Sequence, residues 1–164
     1  MFTDKRSGKI ALVAHCLLNQ NSRATGLAKR SSIINEIVEF LVRKEIGIIQ
    51  MPCPELAYAG AARQPQTREQ YENTKFRRYC RKMAKEIADQ IKEYRDCGVK
   101  LKIVLGIEGS PSCGVKEVSG IFMEELRSKL DELGISVPFH GIRLEHLNED
   151  IAEIEKRITP AHGL

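Results

Sequence analysis

Three cysteines stand where a buried apolar run gives way to turn-forming residues: Cys16 in "AHCLLNQNSR", Cys53 in "MPCPE" and Cys113 in "GSPSCG". A deprotonated thiol is both a nucleophile and a soft metal ligand. One such cysteine is most simply a small core residue. Three at equivalent places, each beside Pro, Gly, Ser or Asn, point to a shared site. They lie 37 and 60 positions apart, a spread that suits a cage assembled by the fold better than a local loop motif. The two other cysteines differ. Cys80 falls within a helical stripe and Cys97 at a helix end before Gly98, so packing accounts for both.

Two inorganic occupants fit three thiolates. Zinc takes three protein ligands plus water at a catalytic site, or four at a structural one; the absence of a paired C-x-x-C knuckle weighs against it. A cubane iron–sulfur cluster normally takes four thiolates, and three would leave one iron open for a Lewis-acid role. Glycines around the ligands allow backbone N–H groups to approach, and helix N-termini just beyond favour negative charge.

The elements that must position these residues can be read from the pattern. Four short apolar segments predict buried strands: "IALVAH" (10–15), "GIIQM" (47–51), "KIVLGI" (102–107) and "ISVPF" (135–139). Continuous rather than alternating runs suit strands covered on both faces, as in a parallel sheet. Helical patterns fill the intervals: 31–47 behind a Ser cap, the charged stretch 67–98 with a stripe through Tyr79, Met83, Ile87, Ile91 and Tyr94, then 119–134 from Ser119 to Gly134, and 148–158. Residues 52–66 read as the longest irregular segment. This alternation predicts one α/β domain over 1–164, three layers deep, with a mainly parallel sheet of four or five strands. Ligands in such folds bind beyond the carboxyl ends of the strands, where all three cysteines fall.

Composition bounds the function. With 42% hydrophobic and 29% charged residues, the chain reads as globular. The segment "IALVA" is too short to span a bilayer, and the polar N-terminus lacks a signal-peptide layout, so a cytoplasmic location is expected. Five cysteines there argue for metal or catalytic use rather than disulfides. A net charge of +4 suits an anionic ligand and is weak evidence for nucleic acid. The basic run "KFRRYCRK" (75–82) reads as a solvated helix face.

Taken in order, "CLLNQNSR", "PCPE" and "GSPSCG" resemble the 2-thiouracil desulfidase family over most of the chain. The flanks Ala14-His15, Asn19 and "GIEG" mark a divergent branch. The resemblance implies a Rossmann-like domain and an oxygen-sensitive 4Fe–4S cluster held by Cys16, Cys53 and Cys113. It further implies non-redox hydrolysis of a thiolated pyrimidine, with sulfide leaving. Such chemistry needs a base and a proton donor. Glu55, two residues after Cys53, and Ser110, three before Cys113, are the candidates. Asn19, Arg23 and Arg63 lie in loops expected to line the pocket, where Asn can read a pyrimidine edge and Arg can hold an anion. Ser112 is expected to bond the local backbone or contact substrate. Glu108 reads as a surface turn charge. His15, next to Cys16 on a predicted strand, is expected to face the other way.

Two rival readings use the same cysteines: a non-catalytic iron–sulfur carrier or sensor of sulfide or oxygen, and a zinc- or thiol-dependent hydrolase. The expected partner is a small thiolated molecule, with no membrane; nucleic acid is disfavoured but left open, and so is the oligomeric state, a homodimer included.

Overall fold

Continuous apolar strands need cover on both faces, and the fold supplies it. The computed structural model describes residues 2–160. Four strands, β1 (Lys9–Val13), β2 (Gly47–Gln50), β3 (Lys100–Ile107) and β4 (Phe139–Ile142), form an all-parallel sheet in the order β2-β1-β3-β4. Helices α1 (His15–Leu18), α2 (Asn35–Arg43), α3 (Pro54–Ala59), α4 (Arg68–Tyr71), α5 (Thr74–Asp96), α6 (Ile121–Glu132) and α7 (Leu147–Ile158) complete it. Helices α5 and α6 pack together on one face, and α2 and α7 meet on the other. Ala11, Leu12, Val13, Ile103, Val104 and Leu105 are fully buried between these layers. The three-layer α/β expectation therefore holds. Among the described residues no helix is long and apolar enough to cross a membrane.

The order places the site. The chain goes from β1 outward to β2, then returns to β3 and proceeds to β4 on the other side. The sheet changes direction between β1 and β3, and a crevice opens beyond the carboxyl ends of strands at such a point. Cys16 follows β1, and Cys113 follows β3.

Several boundaries differ from the sequence reading. Segment 52–66 is not wholly irregular: it holds α3, which Cys53 caps by accepting from Leu56 N, with Pro54 in the first turn. Proline is suited to that position because its missing N–H has no intrahelical partner there. Stretch 67–98 is two helices. Thr67 and Gln70 form a capping box on α4, and Asn73 then caps α5. Its buried stripe runs through Phe76, Cys80, Ala84, Ile87, Ala88 and Ile91, leaving Tyr79 and Tyr94 exposed. No Ser side chain caps α2 or α6. The fourth strand begins at Phe139, where segment 135–139 ends. His140 lies fully buried within it because Nε2 meets the buried Asp150 of α7 at 3.0 Å.

Candidate functional site

The site is built from the segments that leave β1, β2 and β3. Strand β1 stops at Val13, and the chain turns at once into α1. Leu17 N–H donates to Ala14 O at 3.0 Å, which sets Cys16 within a helical turn. Cys53 stands between β2 and α3. Cys113 sits in a loop that doubles back on its own strand. Its carbonyl accepts from Ile107 N–H at 3.0 Å. Two glycines permit that approach. A Cβ on Gly106 would lie 2.1 Å from Cys113 O, and one on Gly120 would lie 2.2 Å from Ser112 O. Neither contact is sterically possible, so any side chain there would displace the loop.

Cys16, Cys53 and Cys113 line a single cavity of about 190 Å³, together with Arg23, Glu55 and Arg63. Burial raises all three thiols above their ordinary values. At Cys113 the neighbouring Cys53 and Cys16 add to the effect, and at Cys16 the charge of Arg23 partly offsets it. Two of the sulfurs have a donor nearby, Arg23 Nη1 at 3.8 Å from Cys16 Sγ and Leu56 N at 3.4 Å from Cys53 Sγ, while Ser112 Oγ lies 3.7 Å from Cys113 Sγ with its hydrogen given to Glu55. Such donors stabilise a thiolate and tune a bound metal group. Among the described residues, only His140, Asp150 and Glu153 form a trio of metal-ligand types with ligand atoms all within 4.8 Å of one another. At least one pair of the three sulfurs therefore lies farther apart than that. The His140 trio is already matched by cations. Arg143 Nη2 lies 2.9 Å from Asp150, and Lys116 Nζ lies 2.9 Å from Glu153.

Glu55 is 8% exposed and so needs compensation for its charge. Ser112 Oγ donates to its Oε2 at 2.5 Å, Ser110 Oγ to the same oxygen at 3.4 Å, and Arg63 Nε lies 3.8 Å from Oε1. Ser110 Oγ in turn accepts from Cys113 N–H at 3.0 Å. Thus Glu55, Ser110, Ser112 and Cys113 form one connected group. Arg63, also buried, is fixed by donating to Ser22 O at 2.9 Å and Gly60 O at 3.2 Å. Arg23 Nε and Arg63 Nε are buried without a hydrogen-bond partner. An adjoining groove of about 410 Å³ shares Arg23 and adds Lys29 and Arg143.

Of the residues singled out by sequence, Arg23, Glu55, Arg63, Ser110 and Ser112 join the cysteines at the cavity. Asn19 does not. Its Oδ1 accepts from Asn21 N at 3.1 Å and caps the following turn, outside the cavity lining. Ser112 is buried, and its hydroxyl is engaged by Glu55. Glu108 is more than a surface charge. Its carboxylate accepts from the N–H groups of Val115, Lys116 and Glu117 at 3.1, 2.9 and 3.2 Å, bracing the loop after Cys113. His15 was expected to face away but lines the cavity, because it belongs to a helical turn and not to a strand. Tyr71, which sequence reasoning missed, is 1% exposed, and its hydroxyl has no hydrogen-bond partner. No spacing signal marked it, since it closes a short helix inside a charged stretch. Cys80 is buried in α5 and Cys97 is exposed at its end, both away from the cavity.

Comparison with known proteins gives a consistent picture. Residues 8–129, which include all three cysteines, match the family model described as "Putative 2-thiouracil desulfurase". An uncharacterised protein of Methanocaldococcus jannaschii is 40% identical over 129 residues, which is 79% of this chain and 82% of that one. No solved structure matches the chain.

Proposed function

The chain belongs to the 2-thiouracil desulfurase family, and from that premise we propose that it is an iron–sulfur desulfidase, releasing sulfide from a thiolated pyrimidine or related thio-compound by hydrolysis. The observation that carries this reading is the convergence of three strand-end cysteines on one small cavity beside Glu55 and Ser110.

Cys16, Cys53 and Cys113 would hold the cluster. The donor set is soft and suits iron–sulfur ligation. Its width supports a multi-atom core over a single ion. Tetrahedral zinc with bonds near 2.3 Å would draw all its sulfurs to roughly 3.8 Å apart, whereas at least one pair of this trio lies beyond 4.8 Å. When bound, a 4Fe–4S cluster with three thiolate ligands supplies one iron open to a substrate sulfur as a Lewis acid.

The remaining work falls to the chain itself. Hydrolysis of a thiocarbonyl replaces the C=S double bond by C=O from one water, and both water protons pass to the departing sulfur as hydrogen sulfide, with no change in the oxidation state of carbon. Water must lose protons and the departing sulfur must gain them. Glu55 accepts from two hydroxyls, and through Ser110 it can take a proton from water at the cavity and return it to the leaving atom. Arg63 holds the charge of Glu55. Arg23, which lines both the cavity and the adjoining groove, suits an anionic substituent on the substrate.

The test is sulfide release from 2-thiouracil and a panel of thiopyrimidines by anaerobically reconstituted protein. Turnover that disappears in Glu55→Gln with the cluster retained supports the reading. An iron-loaded chain that turns over none of the panel supports the carrier or sensor instead.

A further inference from the structure

Tyr71 closes the short helix α4 and is buried, yet its hydroxyl has no hydrogen-bond partner. A buried unpaired hydroxyl is a cost that phenylalanine would avoid. The ring is fixed by its neighbours: its centroid lies 4.6 Å from that of Phe76 and 6.4 Å from that of Tyr58. Only the hydroxyl hydrogen is free to turn.

Two further atoms beside it are unmatched. Arg63 spends Nη1 on Gly60 O and Nη2 on Ser22 O, which leaves Nε–H without an acceptor. Glu55 receives both serine hydroxyls on Oε2, and Oε1 accepts no hydrogen bond, with Arg63 Nε 3.8 Å away. That gap is too long for a direct bond. The Arg63 nitrogen and the Tyr71 hydroxyl are both sealed from solvent, so water has no room to serve them. Burial raises the hydroxyl above its ordinary range, as do the charges of Glu55 and Cys53, while Arg63 lowers it both as a charge and as a hydrogen-bond donor. These groups therefore surround the hydroxyl. Their capacities are complementary: a guanidinium only donates, a carboxylate only accepts and a phenol does both.

We propose that Tyr71 is a positioning residue that bridges Arg63 and Glu55, its hydroxyl accepting from Arg63 Nε–H and donating to Glu55 Oε1. A small rotation of side chains closes the bridge and leaves none of the three atoms unmatched. With Oε1 held from behind, Oε2 stays turned to Ser110 and Ser112. The kinetic consequence rests on the desulfidase reading; the bridge itself does not.

Tyr71→Phe deletes the hydroxyl and keeps the ring. Denaturant unfolding of the metal-free chain tests the bridge by its sign. Loss of a bridging hydroxyl strands two groups, so the unfolding midpoint falls and the unfolding constant rises about tenfold. A midpoint that is unchanged or raised overturns the proposal, because it shows a hydroxyl with nothing to lose. Proton–nitrogen NMR of the same chain supplies the second readout. The Arg63 Nε–H signal moves and exchanges faster in Tyr71→Phe, and it stays in place in Tyr58→Phe. A signal that Tyr71→Phe leaves unmoved also overturns the bridge. In anaerobically loaded protein, Tyr71→Phe lowers kcat for sulfide release from 2-thiouracil about tenfold, the scale of one hydrogen bond, with KM and iron content unchanged. An unchanged kcat, or a rise in KM alone, overturns the positioning role. Stability and NMR effects in a wild type that releases no sulfide would overturn the desulfidase reading and leave the bridge standing.

Discussion

Ser112 Oγ and Glu55 Oε2 meet at 2.5 Å, joining the loop after β3 to the helix after β2. The contact couples the candidate base to the segment that carries Cys113. Glu55→Gln keeps the shape and removes the charge. It is expected to lower sulfide release by roughly a hundredfold or more, with iron content unchanged. Steady-state kinetics alongside iron analysis checks this, and normal turnover would remove Glu55 from the chemistry.

Ser110→Ala has two separable consequences. The hydroxyl accepts from Cys113 N–H, so its loss leaves a part-buried donor unpaired and costs about 1–3 kcal/mol. It also breaks the link from Glu55 to the cavity. Denaturant unfolding measures the first effect, and turnover of the folded fraction measures the second.

The five thiols of the metal-free chain should alkylate in a set order. Cys97 is exposed and reacts first. Cys80 is fully buried and its thiol is pushed up to about 12, so it stays inert in the native state. Burial also raises Cys16, Cys53 and Cys113, so they react slowly and speed up as pH rises. The same three thiols must lose protons to bind metal, and cluster uptake should therefore weaken as pH falls. Mass spectrometry of time-resolved alkylation distinguishes the five. Rapid labelling of Cys113 near neutral pH would contradict the assignment.

Acid should act through β4 and α7. Burial lowers His140, so the ring stays neutral in the fold. Burial raises Asp150, but the bonds from Arg143 outweigh it and hold the carboxyl below its ordinary value. Both folded values lie below the unfolded ones, so both groups contribute stability above the unfolded pKa and lose it as pH falls. The melting temperature is expected to decline first below about pH 6.5 and again below about pH 4. His140→Gln should remove the upper step. Asp150→Ala strips a buried partner and costs about 3 kcal/mol. An unchanged melting curve between neutral pH and about pH 5 would refute the His140 contribution.

Much of this arrangement was legible in the sequence, for physical reasons that also mark the gaps. Continuous apolar runs announced β1 and β3, because strands buried on both faces cannot alternate, and a short run announced β2, the half-exposed edge strand. The cysteines at their ends announced the site. Strand β4 was misplaced because "FHGI" carries a histidine, and its burial depends on Asp150 ten residues later. Helix α3 was hidden by prolines that read as loop, although Pro54 occupies a position where proline is well tolerated. His15 was misjudged for one reason: the alternation rule was carried two residues past the end of β1, into a helical turn. Asn19 looked like a base reader and is a cap. Tyr71 and the brace formed by Glu108 depend on distant partners that no local pattern shows.

The most direct measurement is iron and acid-labile sulfide per chain after anaerobic reconstitution, across the five single Cys→Ser variants. About four irons are expected for wild type, Cys80→Ser and Cys97→Ser, as for one cubane cluster, with loss of the cluster in Cys16→Ser, Cys53→Ser and Cys113→Ser. A wild type that takes up no iron, or three cavity variants that load as fully as wild type, would contradict the account.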